Sequence, residues 1–363
     1  MTTKNIVLGL MSGTSCDGLT VTAVQAKSFA VLAFENYIYP AGLQKRLLNA
    51  RKLSASKLSA LHFELGKLYA QYTKQFLKKH KISSTRILCA GMHGQTIYHG
   101  PKDQIPNTLQ IAEPSFLAEL LSCPIVSHFR QRDMVLGGQG APLIPFFDEY
   151  IFGKGNPKIL LNLGGIANLS VVGKNIKTYG FDCGPANTLM DLACQKYLQL
   201  PFDRNGARAA EGTPNKLLVA RLLTQQFFLR KPPKSLDKND FAMPYLRKYF
   251  SNFSSANIND LLATLNYFTA AAVALAVRQF IPFAQQKEIL VSGGGAFNKT
   301  LLNNLRILTG LPVFSSEKYH MHPQVKEAAA FAFFAWRALQ HKSNHCPHAT
   351  GARKQTILGQ ITL

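Results

Sequence analysis

Carboxylates are scarce in this chain: 19 Asp and Glu stand against 41 Lys and Arg among 363 residues, a formal net charge of +22. Charged residues make up 17% and aromatics 10%, which excludes a disordered, solvating chain and leaves a globular one. A field this positive favours polyanions such as nucleic acid, an anionic membrane or a phosphate-rich small ligand, although a dispersed positive surface gives the same sum. Cysteine occurs six times, at Cys16, Cys89, Cys123, Cys183, Cys194 and Cys346, with no CxxC pair and no metal-ligand spacing. Reduced thiols in a soluble intracellular protein are therefore expected. Long apolar runs are missing too. Phe268 to Val277 is closed by Arg278, short of the roughly 18 residues a membrane span needs. At the N-terminus, Ile6 to Leu8 is too brief for a signal peptide and no small-residue cleavage site follows, so a cytoplasmic location is expected. No Walker A loop, dinucleotide fingerprint or fixed-period repeat occurs. Basic residues are scattered, with short groupings at Lys74 to Lys81 and Lys231 to Lys238 and no interleaved aromatics, so no nucleic-acid motif is recognised.

What is present is a pattern of strands that break into glycine turns. Ile6 to Met11 runs into Ser12 to Gly18, and apolar alternation resumes at Leu19 and continues to Val24, the signature of a hairpin. Leu58, Leu61, Leu65 and Leu68 predict a helix over Ser54 to Lys79. Strands are expected at Arg86 to Ala90 and Cys123 to Val126, with a short segment starting at Leu109 and a helix over Pro114 to Leu121. Gly137 to Pro142 looks like a hinge, giving an N-terminal lobe over 1–136 and a C-terminal lobe over 137–363; the length itself suits about two domains. The second lobe opens with the same strand, glycine turn and strand, from Lys158 through Gly164 and Gly165 to Val172. Helices are expected over Asn187 to Leu198, Asn259 to Phe280, Thr300 to Leu308 and Val325 to Gln340. Glu288 to Ser292 reads as a strand ending in Gly293, Gly294 and Gly295.

Turns dense in Gly, Ser and Thr aim backbone N–H groups and hydroxyls at phosphate oxygens, and a Gly-Gly-Gly bend lets a planar base approach the main chain. Three such turns, each after an apolar strand, point to a two-lobed nucleotide-binding fold.

Met11-Ser12-Gly13-Thr14-Ser15-Cys16-Asp17-Gly18 resembles the signature of the anhydro-N-acetylmuramic acid kinases, in the acetate/sugar kinase, Hsp70 and actin superfamily. Further matches are Gly91 to Thr96, Thr108 to Ile111, Phe129 to Asp133, Gly137 to Leu143, Leu161 to Asn168, Phe181 to Pro185, Leu290 to Asn298, Glu327-Ala328 and Thr350-Gly351-Ala352. The resemblance spans essentially the whole chain. It implies an α/β, two-lobed actin-like ATPase (ribonuclease H-like) fold with ATP and substrate in the interdomain cleft, and lobes that close on both. The implied enzyme is a cytoplasmic kinase of peptidoglycan recycling that uses ATP and Mg²⁺. It opens 1,6-anhydro-N-acetylmuramic acid with water and phosphorylates the freed O6. A homodimer is implied, with no nucleic-acid or membrane partner.

By the same resemblance Asp182 is the catalytic base; the plain alternative is a helix cap. Gly13, Thr14, Ser15, Cys16, Asp17, Gly18, Leu19 and Thr20 would meet ATP from the first turn, Gly164, Gly165 and Asn168 from the second, and Gly293, Gly294 and Gly295 beside the adenosine. Asp17 would hold the metal through water, or is a simple turn aspartate. His93, Gln95, Arg130 and Glu327 would line the sugar, with Arg130 clamping the lactyl carboxylate. Their plain alternatives are a structural histidine, a surface arginine and a first-turn helix acid. The chain departs from the family pattern at Thr20 and His128, where acidic residues are usual, at Glu113 in place of aspartate and at Ala186 in place of glycine. Three other readings remain: a kinase for a different sugar, a basic module binding nucleic acid or an anionic surface, and a family member that binds without turnover.

Overall fold

The computed structural model describes residues 4–363 apart from Thr14, Pro233 and Asp237, and apart from the side chains of Lys238 and Asn239. Strand β1 (Ile6–Met11) is followed by β2 (Gly18–Gln25), β3 (Val31–Ile38), β4 (Ile87–Met92), β5 (Gln95–Gly100), β6 (Asn107–Ile111) and β7 (Ile125–Ser127). Then come β8 (Lys158–Leu163), β9 (Ile166–Val172), β10 (Tyr179–Pro185), β11 (Ile289–Ser292), β12 (Val313–Ser315) and β13 (Gln360–Thr362).

Contacts divide the chain into two units: residues up to Phe147 together with Val325–Leu363, and Asp148–Gln324. The boundary expected after Leu136 thus falls later, and the last segment returns to the first unit. Its sheet has the order β13-β7-β4-β1-β2-β3. β1, β2 and β3 pair antiparallel, while β4 and β7 join in parallel. β1 is an unbroken apolar run because both of its faces are covered. On one side lies the helix Ala55–Lys79, started by a Ser54 cap that accepts from Lys57 N–H, with Leu61, Leu65 and Tyr69 fully buried. Leu58 and Leu68 are half-buried at its flanks. On the other lies the helix Lys326–Leu339. Gly9 on β1 and Gly91 on β4 seat it, since a Cβ at either would overlap the carbonyl oxygens of Ala328 and Phe331.

The segment expected to be a hinge is tied down inside this unit. Gly140 N–H donates to the Asp133 carboxylate and Gln139 N–H to the Thr350 carbonyl.

The second unit repeats the plan. Its sheet runs β10-β9-β8-β11-β12, with β8, β9 and β10 antiparallel and β11 and β12 parallel. That strand order, found in both units, makes this an α/β protein of the ribonuclease H-like, actin-like ATPase class. The core helix Ile258–Phe280 extends well beyond the apolar stretch at its centre. It is long and apolar enough to cross a membrane, but most of its residues are buried in the core of this unit.

Candidate active site

In the first unit the turn after β1 is held from beneath. The buried Ser12 hydroxyl lies 2.6 Å from Gln95 Oε1 and 2.9 Å from the Gly18 carbonyl, and it accepts from Tyr39 at 3.0 Å. The Tyr39 hydroxyl is in turn 2.9 Å from that of Tyr69. Burial first, and mutual proximity next, push Tyr39 well above the usual phenol range; burial also raises Tyr69, so both remain protonated donors. Gln95 is 0% exposed, and its Nε2 donates to the Gly13 carbonyl at 3.0 Å. Both ends of its amide are therefore engaged by the turn.

Around this anchor Gly13 is half-buried, Ser15 and Asp17 are exposed, and Thr14 lies outside the described residues. Cys16 and Leu19 are buried under the turn. Thr20 Oγ donates to Asn36 Oδ1 at 2.7 Å, a cross-strand bond between β2 and β3.

His93, directly after β4, is buried with its ring 4.7 Å from that of Phe331. Its Nδ1 lies 2.9 Å from the Gly94 carbonyl and its Nε2 accepts from Nε of Arg130 at 2.9 Å. Arg130 is partly buried and its Nη1 donates to the Gly140 carbonyl at 2.7 Å, so it is no loose surface arginine. Burial pushes its guanidinium down to about 10, while the charges of Glu327 and Asp133 oppose the shift. Glu327 occupies the first turn of the helix Lys326–Leu339. His93, Arg130 and Glu327 thus gather in one place.

His128, Glu113 and Ala186 each sit in a defined local setting. His128 is pushed below its ordinary range by burial, with His62 adding to the effect, and its Nδ1 lies 3.3 Å from Gln131 Nε2. Glu113 accepts from His62 Nε2 and from the N–H and hydroxyl of Ser115, where the helix Ser115–Leu121 starts. Ala186 is wholly buried.

In the second unit the strand register builds a row of polar residues. Ser292 on β11 stands beside Asn162 on β8, Asn162 beside Asn168 on β9, and Asn168 beside Asp182 on β10. Neighbours in register share a face of the sheet. Asn162 and Ser292 escaped the sequence reading; their signal is a polar residue at or next to the end of an apolar strand that runs into a glycine turn. At the end of the row, Asp182 Oδ2 accepts from Leu236 N–H at 2.8 Å, and Asp182 N–H donates to the Lys234 carbonyl at 3.1 Å. That removes the helix-cap alternative. Burial raises the Asp182 carboxyl to about 6, against the lowering effects of Leu236 N–H and the Lys234 charge. Lys234, also missed from sequence, is buried, with Nζ 3.2 Å from the carbonyls of Phe227 and Phe228.

Gly165 is exposed at the tip between β8 and β9, and the carbonyls of Gly164 and Gly165 accept from Asn187 and Ala186 N–H. Of the three glycines after β11, Gly293 (φ +82°) and Gly295 are required by close approach to Leu163, while Gly294 is exposed and a Cβ there would meet only the Asn187 side-chain amide, at 3.6 Å. Among the described residues, no three His, Cys, Asp or Glu side chains gather as a metal site.

Residues 5–363 match the anhydro-N-acetylmuramic acid kinase family. A relative of that name from Coxiella burnetii is 38% identical over 99% of this chain and 97% of its own length. Another, from Vibrio cholerae, is 35% identical over 99% of both chains. Among solved structures, the (R)-2-hydroxyglutaryl-CoA dehydratase component A of Acidaminococcus fermentans aligns over 92% of this chain and 98% of its own, with a TM-score of 0.48 and 13% identity. Matched from end to end by such relatives, the chain belongs to the anhydro-N-acetylmuramic acid kinase family and is an enzyme of that class.

Proposed function

We propose that the protein is an ATP-dependent kinase that opens the internal bridge of 1,6-anhydro-N-acetylmuramic acid with water and phosphorylates the freed O6, giving N-acetylmuramic acid 6-phosphate. The observation that carries the proposal is Asp182, a carboxylate raised to about 6 at the end of a polar row, with Oδ2 tethered to Leu236. A base poised near working pH is what proton abstraction from water needs. Oδ1 takes a proton from the water as its oxygen bonds to the anomeric carbon. The bond from that carbon to the bridging oxygen breaks, and its electron pair stays on O6. O6 then bonds to the γ-phosphorus as the bond to ADP breaks.

The N–H groups of Gly13 and Ser15 in the first turn, and of Gly164 and Gly165 in the second, are the donors offered to phosphate. Gly294, exposed where Gly293 and Gly295 are packed, is the position that admits an adenine ring. The exposed Asp17 carboxylate beside the first turn suits an Mg²⁺ ion carried on the phosphates and met through water, and the ion supplies charge neutralisation there. Arg130 takes the lactyl carboxylate, with His93 and Glu327 beside it. On this reading, supported by family membership, the enzyme is cytoplasmic, pairs as a homodimer and takes no nucleic acid.

The test follows purified protein with ATP, Mg²⁺ and 1,6-anhydro-N-acetylmuramic acid in oxygen-18 water, read by mass spectrometry beside an Asp182→Asn variant. A sugar phosphate carrying one heavy oxygen at the anomeric carbon, absent with the variant, is expected. ADP without that product would point to another sugar, and no turnover at all would reject the kinase.

A further inference from the structure

Arg130 apart, three sequence motifs have no part in the reaction as described: Phe129 to Asp133, Gly137 to Leu143, and Thr350-Gly351-Ala352. All belong to the first unit, and they meet at one carboxylate. Asp133 is 0% exposed. Its Oδ1 accepts from Nε2 of His345 and Oγ of Thr350, both at 2.5 Å, and its Oδ2 accepts from Gly140 N–H at 2.6 Å. Burial pushes this carboxyl up, but the donors from His345, Thr350 and Gly140 outweigh it and hold the group below the usual carboxylate range. It is therefore an ionised acceptor, and His345 must carry a proton on Nε2.

The loop is moulded onto this charge. Gly138 N–H donates to the Asp133 carbonyl at 3.0 Å, and a Cβ on Gly138 would overlap the Asp133 carboxylate. Gln139 N–H reaches the Thr350 carbonyl at 2.9 Å. Gly140 is thereby held at both ends, its N–H by Asp133 and its carbonyl by Nη1 of Arg130. With Nε committed to His93, the guanidinium plane is set by two acceptors on different nitrogens. A planar fork fixed in this way has one N–H left on Nη1 and two on Nη2 to offer a carboxylate, an arrangement that lysine cannot reproduce.

We propose that Asp133 is a positioning residue: through the Gly140 main chain it aims Arg130 at the substrate carboxylate, and His345 and Thr350 lock it in place from the C-terminal segment. The proposal rests on the reading of Arg130 as the carboxylate clamp. Asp133 itself touches no substrate.

Two measurements on the full-length enzyme test it. The first is kinetic. Thr350→Val, nearly isosteric, is expected to raise KM for the anhydro sugar about fivefold, the worth of one hydrogen bond, with KM for ATP unchanged. In an Arg130→Lys background the same substitution should add nothing. Equal rises in both KM values, or a sugar penalty that persists undiminished in Arg130→Lys, would overturn the proposal. The second needs no substrate, so it separates this proposal from the assigned reaction. In ¹⁵N-arginine-labelled protein, the Arg130 Nε–H should exchange slowly in the wild type and lose that protection in Asp133→Asn and, more mildly, in Thr350→Val. Protection unchanged in both variants would sink the idea even if the kinase reaction is established.

Discussion

Nε2 of His93 accepts a hydrogen bond from Nε of Arg130 at 2.9 Å. The guanidinium has no acceptor, so His93 must leave Nε2 bare and carry its proton on Nδ1, which then donates to the Gly94 carbonyl. Burial first and the Arg130 charge next hold the ring well below its ordinary range. The expected outcome is an Nδ1–H imidazole in ¹⁵N NMR that is neutral at pH 8 and stays neutral at about pH 6.5, where a free imidazole is half protonated. An imidazolium at that pH would contradict the geometry. Because the folded state resists protonation, this group's contribution to stability is present above about pH 6.5 and is lost as pH falls below it. His93→Leu orphans an Arg130 N–H and should cost about 1–3 kcal/mol in urea unfolding.

Asp182 titrates in the opposite sense. Its carboxyl is raised from 3.8 to about 6 in the fold, mainly by burial, so kcat/KM should climb with pH through about 6 as the base ionises. Lys234 lowers that value, and Lys234→Met should move the rising limb to higher pH. Stability carries the reverse sign. A raised carboxylate favours the fold below about pH 4 and loses that contribution as pH rises through 6. Asp182→Asn should therefore be inactive yet more stable than the wild type at pH 8, by about 3 kcal/mol, with the two converging near pH 4. A variant less stable at pH 8 would deny that the ionised group is held at a cost.

Gln95 donates to Gly13 and accepts from Ser12, so its amide belongs to the first turn. Gln95→Glu sets an oxygen against the Gly13 carbonyl in place of the donor. On the proposal that this turn holds phosphate, KM for ATP should rise by about tenfold and KM for the sugar by less than about twofold. The opposite split would return Gln95 to the sugar.

Identical substitutions at two glycines should have opposite signs. A Cβ at Gly91 overlaps the Phe331 carbonyl, whereas one at Gly42, in the helix Ala41–Leu48, meets nothing within 4 Å. Gly91→Ala should lose about 3 kcal/mol or more, or fail to accumulate as folded protein, because backbone cannot yield as a side chain does. Gly42→Ala should gain about 0.5–1 kcal/mol. Urea midpoints compare the two directly.

The thiols offer a simple check on packing. All six cysteines lie outside disulfides; Cys16, Cys89, Cys123, Cys183 and Cys194 are buried and Cys346 is half-buried. Burial raises Cys123 to about 11 and also lifts Cys89, which lowers the reactive thiolate fraction further. Ellman's reagent should label one thiol at most in the native enzyme and six in guanidinium. Rapid labelling of several native thiols would contradict the cores described above.

Features built from neighbours in sequence were legible before the structure. The first hairpin, the helix with Leu61 and Leu65 facing inward, and the core helix around Phe268 follow from periodicity and turn chemistry. Strands of weak intrinsic propensity were not. β10 contains Gly180, Gly184 and Pro185 and has poor intrinsic propensity; it exists because it pairs with β9. The segment Gly137 to Pro142 announces only that the chain can bend, and nothing local says that Asp133 and Thr350 hold it still. For the same reason Asp182 stood out as an acid before Cys183-Gly184-Pro185 at a position the family resemblance marks, while the row that reaches it through Asn162 and Ser292 depended on strand register. Gln95 was visible as a polar residue after a strand, but the inward direction of its amide was not.

The return of Lys326–Leu339 to the first sheet also sets a timetable for synthesis. The residues that make β1, β2 and β4 leave the ribosome early, yet the helix that covers one face of that sheet emerges only after the whole of Asp148–Gln324. At about 5–20 residues per second, that interval lasts roughly ten to forty seconds. The continuous segment can reach its native contacts within it, while the nascent first sheet keeps an apolar face open to water and to chaperones. The unit that begins the chain is thus the last to be finished.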